Sequence, residues 1–337
     1  METVSIILIG VSVFWALNMG ASGLGVAFSP SYGSGILGRG SAVALFTVFV
    51  LAGALLFGSR VAATLRSRIV PEELVSPEVA VILLVAAGAS LFLANLIRIP
   101  QSTSIIIVGS FSGVGLYYGH LDYHLVGYMF LVWIAISFLA YFLTYFLARF
   151  LYPPRSSNFR FHEKLQRHKT GLRWLTVVTD CYGALGIGSN NVANVVGPLA
   201  AAGLFAPVTG FLIFAPLFGL GGLLLGKGVM ETAGKEIVPL GLISSSIVSI
   251  VCSSLIITAS VIGLPAPYVQ VASMALLAML TVKQELPHSM TLHQPIARKI
   301  LKVWTLTPAL ALVVSYGLLW ILGRVRPLLE HGAPGIN

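Results

Sequence analysis

The chain has 337 residues, of which 57% are hydrophobic and 9% are charged; its mean hydropathy is +0.93 and its formal net charge is +9. Because soluble globular proteins carry about 25% charged residues, this composition excludes an aqueous enzyme, a nucleic-acid-binding protein and a disordered chain. The basic excess indicates contact with a membrane surface. The two cysteines, Cys181 and Cys252, lie in apolar runs, which predicts buried thiols rather than a disulfide or a metal site.

Long stretches of the chain contain no Asp, Glu, Lys or Arg, and a membrane helix needs about 20 such residues. Two of these stretches, 181–226 and 237–282, are long enough for two helices each. We therefore predict an all-α polytopic membrane protein with ten hydrophobic segments. In chain order these are 3–28, 41–65, 78–98, 100–119 and 124–151, then 174–203, 207–228, 237–262, 265–282 and 299–323.

The two sets of five segments share landmarks in the same order, which indicates a duplicated unit. The matching pairs are Asn18–Ser22 with Asn190–Asn194 (offset 172), Gly58 with Gly226 (168), Pro100 with Pro265 (165) and Trp133 with Trp304 (171). We predict a first membrane repeat over 1–151, a connector over 152–173, a second membrane repeat over 174–325 and a C-terminal tail over 326–337.

The connector between the repeats is strongly basic. Residues 149–173 contain seven Lys or Arg residues and one acid, Glu163, and a short loop of this kind stays in the cytoplasm. If all five segments of each half cross the membrane, the loop containing Arg98 is cytoplasmic as well, and the loops 119–123 and 263–266 lie outside.

An odd number of crossings gives the two halves inverted topology. The alternative is that segments 100–119 and 265–282 turn back without crossing, which would make the halves parallel. The distribution of Lys and Arg favours inversion.

The first and sixth segments contain polar and glycine-rich sequence where a simple membrane helix is apolar. These residues are Asn18, Gly20, Ala21 and Ser22 in the first segment and Asn190, Asn191 and Asn194 in the sixth. Irregular backbone at membrane depth is tolerated only where protein or a water-filled cavity surrounds it. We predict that both helices are broken at a substrate site; the alternative is close helix packing with Asn side chains bridging helices.

The fourth segment opens with proline followed by Gln101, Ser102, Thr103 and Ser104, and the ninth opens with Pro265. Proline and hydroxyl residues are typical of a helix start. Unpaired N–H groups at that end attract an anion. The alternative is ordinary capping at the membrane interface.

These motifs resemble the inorganic phosphate transporter (PiT) family, and most of all its CysP-type sulfate permease branch. The similar stretches are ANLIRIPQSTS, NNVANVVGPLAAAG, GGLLLGKGVMETAGKEI and LKVWTLTP. The resemblance implies an inverted-repeat fold with hairpins and broken helices around the substrate, a homodimer, surrounding membrane lipid, and a multi-pass position in the cell membrane of a prokaryote. Phosphate members of the family typically have N-D-x-A-N motifs and a histidine after the hydroxyl cluster, where this chain has Met19, Asn191 and Ile105.

Sulfate is fully deprotonated and can only accept hydrogen bonds, whereas phosphate at neutral pH also donates them. A site made of amides, hydroxyls and helix N-termini therefore favours sulfate. We predict a secondary transporter that imports sulfate with a cation, and thiosulfate or related oxyanions as further substrates. The alternative is a sodium- or proton-coupled phosphate symporter. Other classes are a channel or scaffold, or a membrane enzyme, which the absence of an H-E-x-x-H motif disfavours.

The coupling ion is H⁺ or Na⁺, with H⁺ preferred, and no cofactor is predicted. Asp180 is the candidate that carries the proton, because it is the one acid inside an otherwise apolar helix. The alternative is an interfacial acid paired with Arg173, about two turns earlier.

Overall fold

The computed structural model describes residues 2–96, 102–152, 158–237, 241–284 and 295–331. This part of the chain is nearly all helical and contains no strand, which confirms the all-α prediction. The helices in it are α1 Glu2–Gly33, α2 Arg39–Ala63, α3 Pro77–Leu96, α4 Thr103–Tyr118, α5 Tyr123–Leu151, α6 Phe159–Arg167, α7 Lys169–Ala201, α8 Pro207–Ile237, α9 Leu242–Val261, α10 Tyr268–Gln284 and α11 Pro295–His331.

Six described helices are long and apolar enough to cross a membrane. They comprise all or part of α1, α2, α5, α8, α9 and α11. Large apolar side chains such as Leu131, Phe138 and Phe146 stand exposed along α5, as expected for a surface that faces lipid. The chain is therefore a multi-pass membrane protein, and each predicted segment corresponds to a helix. The connector contains one further short helix, α6, that the sequence reading did not predict.

The two halves pack together through a reciprocal exchange of helices, since α1 packs on α8 and α2 packs on α7. Each crossing is made close by glycine. A methyl group at Gly20 would overlap the carbonyl oxygen of Phe218, and one at Gly188 would overlap that of Val50. Backbones in membranes approach this closely only where the side chains are small.

These contacts repeat at an offset of 168 residues. The second pair of close glycines, Gly53 against Leu185 and Gly221 against Leu17, obeys the same offset. So do the helix-interior prolines Pro30 and Pro198 and the positive-φ glycines Gly35 and Gly203. The equivalence predicted between Asn18 and Asn190 is therefore wrong by four residues, about one helical turn. In the packing register, Ser22 corresponds to Asn190 and Val26 corresponds to Asn194.

The predicted breaks in the first and sixth segments are also wrong. Both α1 and α7 are continuous helices through their glycine-rich stretches. Gly20 and Gly188 serve the helix crossings instead, because each is placed where a side chain would meet a neighbouring backbone. The alternative reading of close packing is the one that the structure supports for these two helices.

Two helical hairpins complete the bundle: hairpin 1 is α3 with α4, and hairpin 2 is α9 with α10. The backbone N–H of Asp122 donates to the carbonyl of Ile69 over 3.2 Å, so α3 starts and α4 ends on the same side of the bundle. In hairpin 2 the turn at Pro265 accepts a hydrogen bond of 2.7 Å from Trp133, ten residues or about 15 Å into α5. That depth is about half of a hydrocarbon core of roughly 30 Å.

The start of α4 in hairpin 1 and the turn of hairpin 2 meet inside the bundle. Ser104 in α4 and Ala266 in the turn both bond to the same oxygen atom of Asn190. The start of α4 and the loop 263–266 therefore lie at one depth, since groups bonded to one atom cannot lie a membrane thickness apart; the predicted loop at Arg98 lies outside the described residues. The parallel alternative fails, because it would separate 119–123 from Ile69. The two hairpins enter the bundle from opposite ends, which favours inverted topology of the two halves.

Candidate functional site

The side chain of Asn190 uses all of its hydrogen-bonding capacity. Its Oδ1 accepts from the Ser104 hydroxyl at 3.0 Å and from the Ala266 N–H at 2.9 Å. Its Nδ2 donates to the Ser260 hydroxyl at 3.0 Å and to the Leu264 carbonyl at 3.2 Å. One fully buried amide thus joins α7 to the start of α4 in hairpin 1 and to the turn of hairpin 2.

The directions of these bonds fix the orientation of the next amide, Asn194. The N–H of Ala266 can only donate, so the Asn190 atom that faces it is an oxygen. Ser104 must then donate to that oxygen, and its own oxygen can only accept from the Asn194 NH₂, at 3.0 Å. The same NH₂ also donates to Thr103 at 3.1 Å. The Oδ1 of Asn194 is left buried and without a hydrogen-bond partner.

The start of α4 supplies donors beside these amides. Ser102 is its N-cap residue and makes no capping hydrogen bond with its side chain. The first N–H bonded within the helix ladder is that of Ile106, to the Ser102 carbonyl. The N–H groups of the first turn are therefore outside the ladder. Because Thr103 accepts from Asn194, its hydroxyl hydrogen is left to donate. Together these groups can bind an anion with neutral donors and a helix dipole.

Among the described residues, the other predicted site residues make no hydrogen bond to the amide cluster, which comprises Asn190, Asn194 and their hydrogen-bond partners. Asn18 is partly exposed and bonds to the Phe14 carbonyl of its own helix over 2.8 Å. Ser22 is exposed and bonds to the Met19 carbonyl over 3.0 Å. Gly20 and Ala21 are buried in helix contacts, Asn191 is partly buried, and Gln101 lies outside the described residues.

An accessible stripe runs along α1, although most of this helix from Trp15 to Ser31 is buried. The stripe contains Phe14, Asn18, Ser22 and Val26, which follow one another at intervals of four residues and so share one helix face. In the packing register its middle, Ser22, corresponds to Asn190. The first half thus exposes Ser22 at the surface, whereas the second half buries the equivalent residue, Asn190, among its hydrogen-bond partners.

Asp180 is buried in the first half of α7, and 1% of its surface is exposed. Its Oδ2 accepts from the backbone N–H of Ser31 over 3.1 Å, and its Oδ1 has no hydrogen-bond partner. Pro30, just before Ser31, interrupts the regular ladder of α1 at this point. Arg173 is exposed and is not a partner of this carboxyl group, so the alternative of an interfacial ion pair is wrong.

Three hydrogen-bond partners of Asn190 were missed by sequence reasoning. Ser260 lies in an apolar run, and Leu264 and Ala266 act through their backbones, so none has a side-chain pattern that marks it. The one available signal is that Ala266 stands between two prolines in a short turn.

Comparison with known proteins agrees with this architecture. Residues 19–315 match the phosphate transporter family. The chain is 35% identical over 307 residues to the sulfate permease CysP of Bacillus subtilis (strain 168), covering 90% of this chain and 84% of that protein. It also resembles a solved structure described as the sodium-dependent phosphate transporter, with a TM-score of 0.80, 20% identity, and coverage of 96% of this chain and 100% of the other.

Proposed function

Because the chain belongs to the phosphate transporter family, whose members named above are transporters or permeases and not enzymes, we propose that it imports sulfate together with a cation. Thiosulfate and related dianions are proposed as further substrates. The observation that carries this proposal is the set of neutral donors at Ser102, Thr103 and Asn194, next to the start of α4. The 35% identity to a sulfate permease supports it. The homodimer implied by the sequence resemblance stays a prediction.

Neutral donors suit sulfate because sulfate has no proton to give. Its four oxygens only accept hydrogen bonds, and hydroxyl, amide and backbone N–H groups can all donate to them. A helix N-terminus adds the equivalent of about half a positive charge. The described residues of this site include no Lys or Arg, and binding by them alone keeps the bound anion easy to release, which a carrier requires.

One observation favours phosphate as a second candidate. The unpaired Oδ1 of Asn194 is a buried acceptor next to the donor cluster. Monohydrogen phosphate carries an O–H group that such an oxygen can bind, and sulfate does not. With sulfate as substrate, the same oxygen is available to a coupling cation or to water.

The deciding experiment uses the purified protein in liposomes with labelled sulfate. We expect saturable uptake that sulfate and thiosulfate inhibit and that phosphate in large excess does not. Equal inhibition by phosphate would reject sulfate selectivity and favour the second candidate. Counterflow driven by unlabelled sulfate on the opposite side distinguishes a carrier from a channel, because a channel does not accumulate label in this way.

Two variants test the location of the site. Asn191→Ala removes a partly exposed amide, and Ser102→Ala removes the hydroxyl at the start of α4. Each is expected to lower sulfate uptake while the protein still reaches the membrane. Wild-type uptake by both variants would place the site elsewhere.

The membrane potential determines how many cations are needed. Moving one charge against 100 mV costs about 2.3 kcal/mol, so a dianion moved inward against roughly 150 mV costs about 7 kcal/mol. Two monovalent cations cancel this electrical cost, and at least three let the potential drive uptake. We propose that protons are the coupling ions and that Asp180 carries one of them.

The surroundings of Asp180 support this role. A buried carboxylate with one unpaired oxygen is expensive by several kcal/mol, and a proton on that oxygen removes the charge. Asp180→Asn is therefore expected to abolish acid-stimulated uptake and to retain sulfate exchange, which needs no net proton movement. Asp122→Asn is the matched control, because Asp122 caps α5 at the bundle end and Asn also serves as an N-cap. Sodium-dependent, pH-insensitive uptake by the wild type would reject proton coupling.

A further inference from the structure

Tyr268 is a buried tyrosine at the first position of α10, and the transport mechanism outlined above does not use it. Its hydroxyl lies over the turn of α7 that carries Asp180. A methyl group at Gly183, three residues after Asp180, would lie 3.8 Å from the Tyr268 oxygen. Residues three apart share one helix face, so the hydroxyl lies on the side of α7 that Asp180 and Gly183 share. Asp180 and Tyr268 are close enough to interact electrostatically.

Tyr268 is connected to the amide cluster through two residues of the hairpin 2 turn. Its N–H donates to the Ala266 carbonyl over 3.1 Å, and the Ala266 N–H donates to Oδ1 of Asn190 over 2.9 Å. Asn190 in turn accepts from Ser104 in hairpin 1. A displacement of the Tyr268 hydroxyl toward Asp180 therefore moves the hairpin 2 turn, which is bonded to the amide cluster.

We propose that Tyr268 is the positioning residue that links the protonation state of Asp180 to the hairpin 2 turn. This inference rests on the proposed coupling role of Asp180. When Asp180 is ionised, its unpaired Oδ1 accepts a hydrogen bond from the Tyr268 hydroxyl and draws the start of α10 toward α7. When Asp180 is protonated, that attraction is lost and the turn takes the position seen here, in which Oδ1 has no partner.

The ionisable neighbours of this pair are few among the described residues. Cys181 is next to Asp180 on α7, and Cys252 on α9 lies beside Tyr268. From α1 the contact is the uncharged backbone N–H of Ser31. Both cysteines are buried, free thiols, so Asp180 is the carboxyl group among the described ionisable residues of this pocket.

The test measures the ratio of sulfate uptake with and without an inward proton gradient, and sulfate exchange as a separate readout. Tyr268→Phe removes only the hydroxyl, and the ratio is expected to fall to about one while exchange stays within about threefold of wild type, the effect of one membrane hydrogen bond. Tyr182→Phe is the matched control. Tyr182 lies on α7, and its hydroxyl pairs with Ser254 at 3.1 Å, so the ratio is expected to stay at the wild-type value.

A second variant keeps the proposal testable if Tyr268→Phe does not fold. Gly183→Ala places a methyl at ordinary contact distances, 3.7 Å from Ala27 and 3.8 Å from the Tyr268 oxygen, and obstructs the approach of the hydroxyl. We expect it to lower the ratio by at least about twofold, a fraction of a hydrogen bond.

The outcomes separate this inference from the role of Asp180. Acid stimulation that survives Asp180→Asn rejects the coupling role itself. Loss of stimulation in Asp180→Asn with a wild-type ratio in Tyr268→Phe and Gly183→Ala overturns the role of Tyr268 alone. If Tyr268→Phe abolishes exchange as well, Tyr268 belongs to the substrate site and the positioning role is equally overturned.

Discussion

The hydroxyl of Ser104 donates a 3.0 Å hydrogen bond to Oδ1 of Asn190, although 86 residues separate the two in the chain. The same oxygen accepts from Ala266 in hairpin 2. A single amide therefore bonds to the start of α4 and to the turn of hairpin 2, so separating these two parts of the bundle breaks a bond to Asn190.

Replacing Ser104 tests the importance of this junction. In Ser104→Ala, Asn190 loses one donor and Asn194 loses one acceptor. Because a buried polar group left unpaired costs about 1–3 kcal/mol, we expect sulfate uptake in liposomes to fall about tenfold or more. Ser112→Ala is the control on the same helix, since Ser112 is buried and bonds only to the Val108 carbonyl of α4. Equal uptake by the two variants would show that the junction is dispensable.

The glycine crossings predict a stability difference within one helix. A methyl at Gly20 overlaps the backbone of α8, whereas one at Gly10 meets nothing within 4 Å. Gly20→Ala is expected to destabilise the fold by about 1–3 kcal/mol, as overpacking does. Gly10→Ala is expected to be neutral or slightly stabilising, because alanine is the better helix former by about 1 kcal/mol. Thermal unfolding in detergent, followed by size-exclusion chromatography, measures both; a Gly20→Ala protein as stable as wild type contradicts the crossing.

Two positive-φ glycines separate backbone strain from function. Gly263 (φ 81°) lies in the hairpin 2 turn, and Gly119 (φ 73°) lies between α4 and α5. Alanine at either position costs about 1–2 kcal/mol in this backbone conformation. At Gly263 the methyl would also lie 3.2 Å from the Arg60 carbonyl oxygen, so Gly263→Ala should lose at least as much stability as Gly119→Ala. Only Gly263→Ala should lose transport, because its neighbour Leu264 accepts from Asn190. Parallel uptake and unfolding measurements check this, and an equal loss of uptake in both would assign the effect to strain alone.

The accessible stripe on α1 predicts the reactivity of introduced thiols. Ser22→Cys is expected to react with a charged, water-soluble methanethiosulfonate reagent. Ala21→Cys, at an adjacent position that is 6% exposed, is expected to react far more slowly. The native Cys181 and Cys252 are buried and serve as internal references. Reaction of Ser22→Cys with an apolar maleimide only would show that the stripe faces lipid rather than water.

Sequence patterns predicted the helices and their order well, because a membrane helix is marked locally by its apolar composition. They also identified Ser104, Asn190 and Asn194, which meet in the structure. The role of the glycines was misjudged, since a glycine that admits a neighbouring backbone and one that unwinds a helix look the same in sequence. What distinguishes them is the contact partner, such as Phe218 for Gly20, almost two hundred residues away.

The repeat register failed for a related reason. The sequence comparison paired Asn18 with Asn190 because both are amides. The helix crossings, however, keep glycine and proline rather than amides at equivalent positions in the two halves. Pro30 with Pro198 and Gly35 with Gly203 were the better landmarks. The position of the hairpin turns could not be predicted, because depth within the membrane depends on which distant groups the turns bond to.

The reciprocal crossing of α1 with α8 and of α2 with α7 has a consequence for biosynthesis. When the ribosome has completed the first half, α8 and α7, the partners of α1 and α2, have not yet been synthesised. Until then α1 and α2 lie in the bilayer with their glycine faces against lipid. The contacts of α1 with α8 and of α2 with α7 then form only after α7 and α8 have been inserted, in the manner of preformed helices that associate in a second stage. Neither half is expected to mature alone, whereas two halves made as separate polypeptides in one membrane should still find each other.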